Sequence, residues 1–278
     1  MLYKMKIKQR YTYSNKRQLW RLLPADSGKL IIEERDVDSK EVYFNCIDIY
    51  SGKDIFKNYQ LEEKSWIGIE YIYKDIIFFH HYVKPDMPEH TGIIAFDINS
   101  KKIIWASNEY VFLFVLNEIL YCYKPKFEGR HFYSLNYKTG EIIEDLGDNA
   151  GLINDERNTA MNNELFSDYL FPEPFNNTKN ISSEITKIFQ NLKNEFVIFG
   201  NIEFITKNGL LLFNYHKITD NGNFKNIFNA IDILTGLRIF ELVMNNQTKV
   251  LMPDSFFVKD NLLFLLKEKN RLVVCSIE

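Results

Sequence analysis

Two stretches of this chain gather the residue types that chemistry uses. One is Glu33-Glu34-Arg35-Asp36; the other runs from His80-His81-Tyr82 through Asp86 to His90. Tyr215-His216 adds a further phenol and imidazole, so four of the five histidines fall in these segments. Three kinds of chemistry suit them. Mixed charges and aromatics on loops form a recognition surface for a protein partner or a small polar ligand. Alternatively, two carboxyls drawn from Glu33, Glu34, Asp36, Asp86 and Glu89 could serve a hydrolase, one as acid and the other as nucleophile or base. His80, His81 and His90 with Asp36 and Asp86 could ligate a metal. Their spacing matches no zinc or calcium motif, however, and adjacent His80 and His81 point to opposite faces of a strand. No metal and no cofactor is therefore assigned. The chain also lacks a Gly-rich phosphate loop, a Ser-centred nucleophile elbow and a Cys–His constellation.

The elements that must position these residues are written in a phrase that returns four times. It reads Ile47-Asp48-Ile49-Tyr50-Ser51-Gly52, then Phe96-Asp97-Ile98-Asn99-Ser100-Lys101, Leu135-Asn136-Tyr137-Lys138-Thr139-Gly140 and Ile231-Asp232-Ile233-Leu234-Thr235-Gly236. Each copy is a β-hairpin with its turn chemistry built in. The first three copies are spaced by roughly 40–50 residues and the last by about twice that, a period that suits four strands per repeat. The expected fold is therefore all-β: a five-bladed propeller over residues 1–278, a single domain. Residues 3–13 alternate apolar and cationic positions. They are expected to lie beside 270–277 and close the ring as the missing strand of the last blade. Residues 147–194 interrupt the rhythm between blades three and four. There Ser182 or Ser183 can cap a helix whose Ile185, Phe189 and Leu192 form an apolar stripe.

In such a fold the loops after the second strand of each blade share one face with the 147–194 insertion. That places Glu33, Glu34, Arg35, Asp36, His80, His81, Tyr82, Asp86, His90, Tyr215 and His216 on one candidate binding face. The sharpest expectation combines Glu34, Arg35 or Asp36 with His80, His81 or Tyr82, because both segments end the second strand of neighbouring blades. The competing reading is a structural ion pair knitting the two blades together. Trp20 and Trp66, at the starts of inner strands, read as packing between blades.

The recurring phrase resembles the quinoprotein-like propeller repeat, with Trp105 at about that repeat's tryptophan position and Phe56 and Phe240 in its place elsewhere. The residues that would grip a quinone or a lanthanide are not recognisable, so the resemblance implies no cofactor. The whole chain also resembles an uncharacterised bacterial family of unknown function, domain-of-unknown-function family 4905. The likeness rests on Leu19-Trp20-Arg21-Leu22-Leu23-Pro24, Glu33-Glu34-Arg35-Asp36, Trp66-Ile67-Gly68-Ile69 and Pro85-Asp86-Met87-Pro88-Glu89-His90-Thr91-Gly92. It implies no known activity.

Composition bounds the remaining choices. Aromatics are 15% of the residues, with 23 Phe and 16 Tyr, which favours pleated, half-buried surfaces. A net charge of −3 gives no electrostatic case for nucleic acid as a partner. Cys46, Cys122 and Cys275 lie in apolar runs and read as reduced, buried residues. No run approaches the ~20 apolar residues of a membrane span, and lysines interrupt the N-terminus where a signal peptide would need an apolar core. A cytoplasmic location without membrane contact is expected. The functional expectation is a non-enzymatic propeller that binds a protein or a small polar ligand, the alternative being a glycosidase-like hydrolase acting on a small polar or carbohydrate substrate.

Overall fold

The computed structural model describes residues 6–25, 27–83, 88–162, 168–175 and 181–278. The first element among the described residues is strand β1 (Ile7–Tyr13). Twelve strands follow in three sheets of four: β2 (Gln18–Ala25), β3 (Lys29–Arg35), β4 (Val42–Asp48) and β5 (Asp54–Tyr59); β6 (Ile67–Tyr73), β7 (Ile76–Tyr82), β8 (His90–Asp97) and β9 (Lys102–Ser107); β10 (Val111–Leu116), β11 (Ile119–Pro125), β12 (Arg130–Asn136) and β13 (Ile142–Gly147). Helix α1 (Ala150–Asn162), the two-residue strands β14 (Tyr169–Leu170) and β15 (Glu173–Pro174) and helix α2 (Ser183–Glu195) come next. The chain ends with β16 (Ile198–Lys207), β17 (Leu210–Ile218), β18 (Phe224–Asp232), β19 (Arg238–Thr248), β20 (Phe256–Lys259), β21 (Leu262–Lys267) and β22 (Arg271–Ile277).

The recurring phrase forms the same turn four times. Asp48, Asp97, Asn136 and Asp232 each accept, through a side-chain oxygen, the backbone N–H of the residue three positions on. The backbone carbonyl of each also accepts the N–H of the residue four on, at 2.8 Å in every copy. That fourth residue is left-handed throughout: Gly52, Lys101, Gly140 and Gly236 have φ between 58° and 73°. Glycine meets this demand without steric cost, whereas Lys101 does not. Lys101→Gly is therefore expected to stabilise the chain by about 1 kcal/mol, read as a small rise in the urea midpoint. Gly140 has a second reason to be glycine. A Cβ there would stand 2.7 Å from the Trp105 ring, whose indole N–H donates to the Tyr137 carbonyl at 3.0 Å.

The chain divides into two compact units, residues 17–166 and residues 1–16 with 167–278. In the first, the sheet β6–β9 is buried on both faces. Ile77 and Phe79 pack toward β2–β5 with Ile31, Phe44 and Cys46; Ile76 and Phe78 pack toward β10–β13 with Phe112, Leu120 and Leu135. The unbroken apolar run Ile76-Ile77-Phe78-Phe79 is what a strand covered on both sides requires. In the second unit, Leu210 and Leu212 of β17 face the sheet that holds β20–β22, while Leu211, Phe213 and Tyr215 face α2. Helix α2 forms where the cap and stripe put it. Ser182 accepts the Ile185 N–H, and Ile185 and Phe189 are buried.

The expectation of a five-bladed propeller closed by the N-terminal strand is corrected here. The structure holds five separate antiparallel sheets of four or five strands, none closed, with neighbouring sheets packed face to face in a β-sandwich-like manner. Strand β1 does pair with β22, from Ile7 opposite Ile277 to Tyr13 opposite Leu272, but as the edge of an open five-stranded sheet. The helical insertion is also more than a helix between blades. It contains α1, and it lends β14 to β20 and β15 to β16 as fifth strands. The physical reason is one of range. An Asx turn fixes a hairpin over about five residues and is the same in any antiparallel sheet, so it does not encode how the sheets are arranged.

Candidate metal centre

The residues with the most chemical potential meet on strands β6, β7 and β8. Glu70 is the extra residue of a bulge: Ile69 opposes Phe79 and Tyr71 opposes Phe78, leaving Glu70 without a cross-strand partner. The same bulge recurs at Arg10, Trp20 and Leu113 in three other sheets. Gly68 and Glu70 alternate onto one face of β6, the face that His80, opposite Gly68, presents on β7. His80 sits opposite Gly68 on β7, and His90 sits opposite Tyr82 on β8.

One carboxylate oxygen is the focus. Glu70 Oε2 lies 2.6 Å from His90 Nδ1 and 2.8 Å from His80 Nδ1. The two imidazoles stack at 3.6 Å and 7°, and the Tyr82 ring stands edge-on to both. A ligand atom from each of Glu70, His80 and His90 falls within 4.8 Å of the others. His80 is only 1% exposed; its Nδ1 meets the Glu70 carboxylate, and its Nε2 makes no hydrogen bond. Its Nδ1 and His90 Nδ1 share the one Glu70 oxygen. Its Nε2 faces Gly68, where a Cβ would stand 3.0 Å away. Burial pushes the His80 pKa down, against the pull of Glu70. Burial also pushes the Glu70 carboxyl up, but the two imidazoles outweigh it and hold it below the ordinary carboxylate value. The neutral imidazole and ionised carboxylate that result are the states in which these side chains ligate metals.

The other candidates lie elsewhere. Glu33 is fully buried, and its Oε1 accepts from Arg35 Nε and Nη2, while Arg35 stacks on Trp20. Glu34 is held by Arg17 at 2.8 Å, and Arg17 lies over the Tyr43 ring. Asp36 caps its own loop by accepting from Asp38 and Ser39 backbone N–H groups. Among the described residues, no hydrogen bond or ion pair links Arg35 or Asp36 to His80 or Tyr82. His81 is half-buried and packs near Gly92. Asp86 lies outside the described residues. Tyr215 faces α2 in the other unit, and His216 is buried beside it. The sequence reading thus found three members of the cluster, His80, Tyr82 and His90, and missed Glu70. The available signal was a lone acid inside the apolar strand Ile67-Gly68-Ile69-Glu70-Tyr71-Ile72.

His216 acts structurally. Its Nε2 accepts the Met252 N–H at 3.0 Å, which requires that nitrogen to be unprotonated, and burial pushes its pKa down. A histidine depressed in the folded state binds its proton more readily when unfolded. Its contribution is therefore complete above the unfolded value of about 6.5 and is lost as pH falls through and below it. The difference in urea stability between wild type and His216→Gln is expected to be largest at pH 8 and to shrink toward pH 5.

Residues 23–105, which include Glu70, His80 and His90, match the family described as Domain of unknown function (DUF4905). That match lends no support to the quinoprotein-like reading. No curated protein matches the chain. Among solved structures, a DUF4221 family member from Bacteroides vulgatus is similar at 9% identity and a TM-score of 0.34, over 100% of this chain and 97% of that one. A bifunctional GH43-CE protein from Bacteroides eggerthii is similar at 10% identity and 0.27, over 98% of this chain and 34% of that one. An exo-β-1,3-galactanase from Phanerochaete chrysosporium follows at 8% identity and 0.29, over 98% and 64%. At such scores these likenesses establish neither a fold nor an activity for this chain. No helix among the described residues is long and apolar enough to cross a membrane.

Proposed function

We propose that residues 17–166 form a binding module for a divalent transition-metal ion, held by Glu70, His80 and His90. The observation that carries this reading is His80: a buried imidazole whose Nε2 has no partner and whose Nδ1 meets only the Glu70 carboxylate, within ligand distance of a second imidazole. A buried polar group without a partner costs roughly 1–3 kcal/mol, a cost that a coordinated ion would remove. Two imidazoles and one carboxylate suit zinc, iron, cobalt or nickel rather than magnesium or calcium, which prefer oxygen ligands. Three protein ligands leave a position open for water or a small polar ligand. His90, about a third exposed, leaves the cluster open to solvent on its side.

The reading is of binding rather than hydrolysis. Three of the five carboxylates suggested for acid–base work are already engaged, Glu33 by Arg35, Glu34 by Arg17 and Asp36 by backbone N–H groups, while Asp86 lies outside the described residues. The test is metal content after dialysis against Zn²⁺ or Co²⁺. One ion per chain is expected, together with a stabilisation of about 2.7 kcal/mol when the ion stands a hundredfold above its Kd. His90→Ala and Glu70→Gln should lose the ion while remaining folded. Gly68→Ala, which crowds His80 Nε2, should weaken binding. An ion retained equally by all three variants would reject the assignment.

A further inference from the structure

The unit formed by residues 1–16 and 167–278 carries a separate opening. Helix α2 lies across one face of β16–β19, anchored by Ile185 and Phe189. Toward the helix C-terminus, between α2 and strands β17–β19, a groove of about 500 Å³ remains. Tyr215 and Ile227 lie at its floor, and Leu192 and Phe196 line it from the helix side.

Its charges are unbalanced in a specific way. Lys217 and Lys225 are registered partners across β17 and β18, so their side chains emerge side by side on the groove face. Both are half-buried, and neither forms an ion pair among the described residues. Like charges directly opposite in an antiparallel pair are destabilising, and partial burial reduces the screening that would relieve them. Lys217 is positioned over the Phe196 ring at 4.2 Å. The other charged groups of the lining are exposed. Arg238 and Glu241 pair with each other, which leaves Glu195 alone against two lysines.

A second feature also asks for a ligand. Asn229, 3% exposed, faces the groove with its amide nitrogen unpartnered. It lies on the same face of β18 as Lys225, four residues and therefore roughly 13 Å along the strand. Between them the Tyr215 phenol is pushed up to about 12, first by burial and then by Glu241 and Glu195, so it stays a donor.

We infer that this groove binds an elongated organic carboxylate, its head between Lys217 and Lys225, its apolar body along Ile227 and Phe196, and a hydrogen-bond acceptor at its far end beside Asn229. The site is independent of the metal cluster and stands or falls without it.

Decanoate, 10-hydroxydecanoate, decylammonium and inorganic phosphate serve as probes by calorimetry on the full chain. Decanoate is expected to bind saturably, and 10-hydroxydecanoate, which offers an acceptor near Asn229, about threefold more tightly. Inorganic phosphate should bind at least tenfold more weakly than decanoate, and decylammonium not at all. Lys225→Gln should weaken decanoate about tenfold and, without ligand, raise the melting temperature by about 1–2 °C as the repulsion is relieved. Equal binding of decanoate and decylammonium would overturn the proposal, as would decanoate affinity unchanged in Lys225→Gln.

Discussion

Arg35→Ala is expected to lower stability by about 3 kcal/mol, a fall of roughly 6–12 °C in melting temperature. The reason lies in Glu33. It is fully buried, its Oε1 takes two N–H groups from Arg35, and its Oε2 already lacks a partner. Removing the guanidinium leaves a buried carboxylate with no compensation, and stranding one member of a buried pair costs far more than the pair contributes. The double variant Glu33→Leu with Arg35→Leu should therefore recover most of the loss. Thermal melts of both decide the matter. A wild-type melt for Arg35→Ala would mean that Glu33 is solvated or paired in some other way. The same experiment separates two roles for this segment, because a structural ion pair moves the melting temperature whereas a ligand contact does not.

Phe189→Ala is expected to cost about 3–5 kcal/mol. Phe189 is fully buried and makes edge contacts with Phe175, Phe204 and Phe213 at ring separations of 4.8, 5.7 and 5.3 Å. It is the main pin between α2 and its sheet, so the cavity left behind opens where helix and strands meet. Urea denaturation should show the loss, and the amides of α2 should exchange faster than those of β17. A loss below 1 kcal/mol would mean that Ile185 and Leu192 hold the helix without it.

What the sequence made legible was local. The four Asx hairpins could be read because an acid or amide, a Ser or Thr and a left-handed residue at fixed offsets determine a turn by themselves. Helix α2 was readable for the same reason, through Ser182 and its stripe. Helix α1 was not: its few apolar residues sit at its two ends rather than in a stripe, and Ile153 alone is buried. The arrangement of sheets was misread because hairpin chemistry is silent about which faces pack. Within the site, His80, Tyr82 and His90 could be marked by type. Glu70 could be marked only as a lone acid in an apolar strand, because its meeting with His80 depends on the pairing of Gly68 with His80, which chain order does not show. For Glu33 and Glu34 the sequence left acid chemistry and a structural ion pair both open, because chain order does not show which arginines hold them.

The most direct test of the metal assignment is a crystal grown with saturating Zn²⁺ and measured at the zinc absorption edge. The account predicts one anomalous peak about 2.0–2.2 Å from a Glu70 carboxylate oxygen and from a ring nitrogen of each of His80 and His90. A peak confined to the His131, Asp145 and Asp148 group, or no peak at Glu70 with the three side chains placed as they are here, would contradict it.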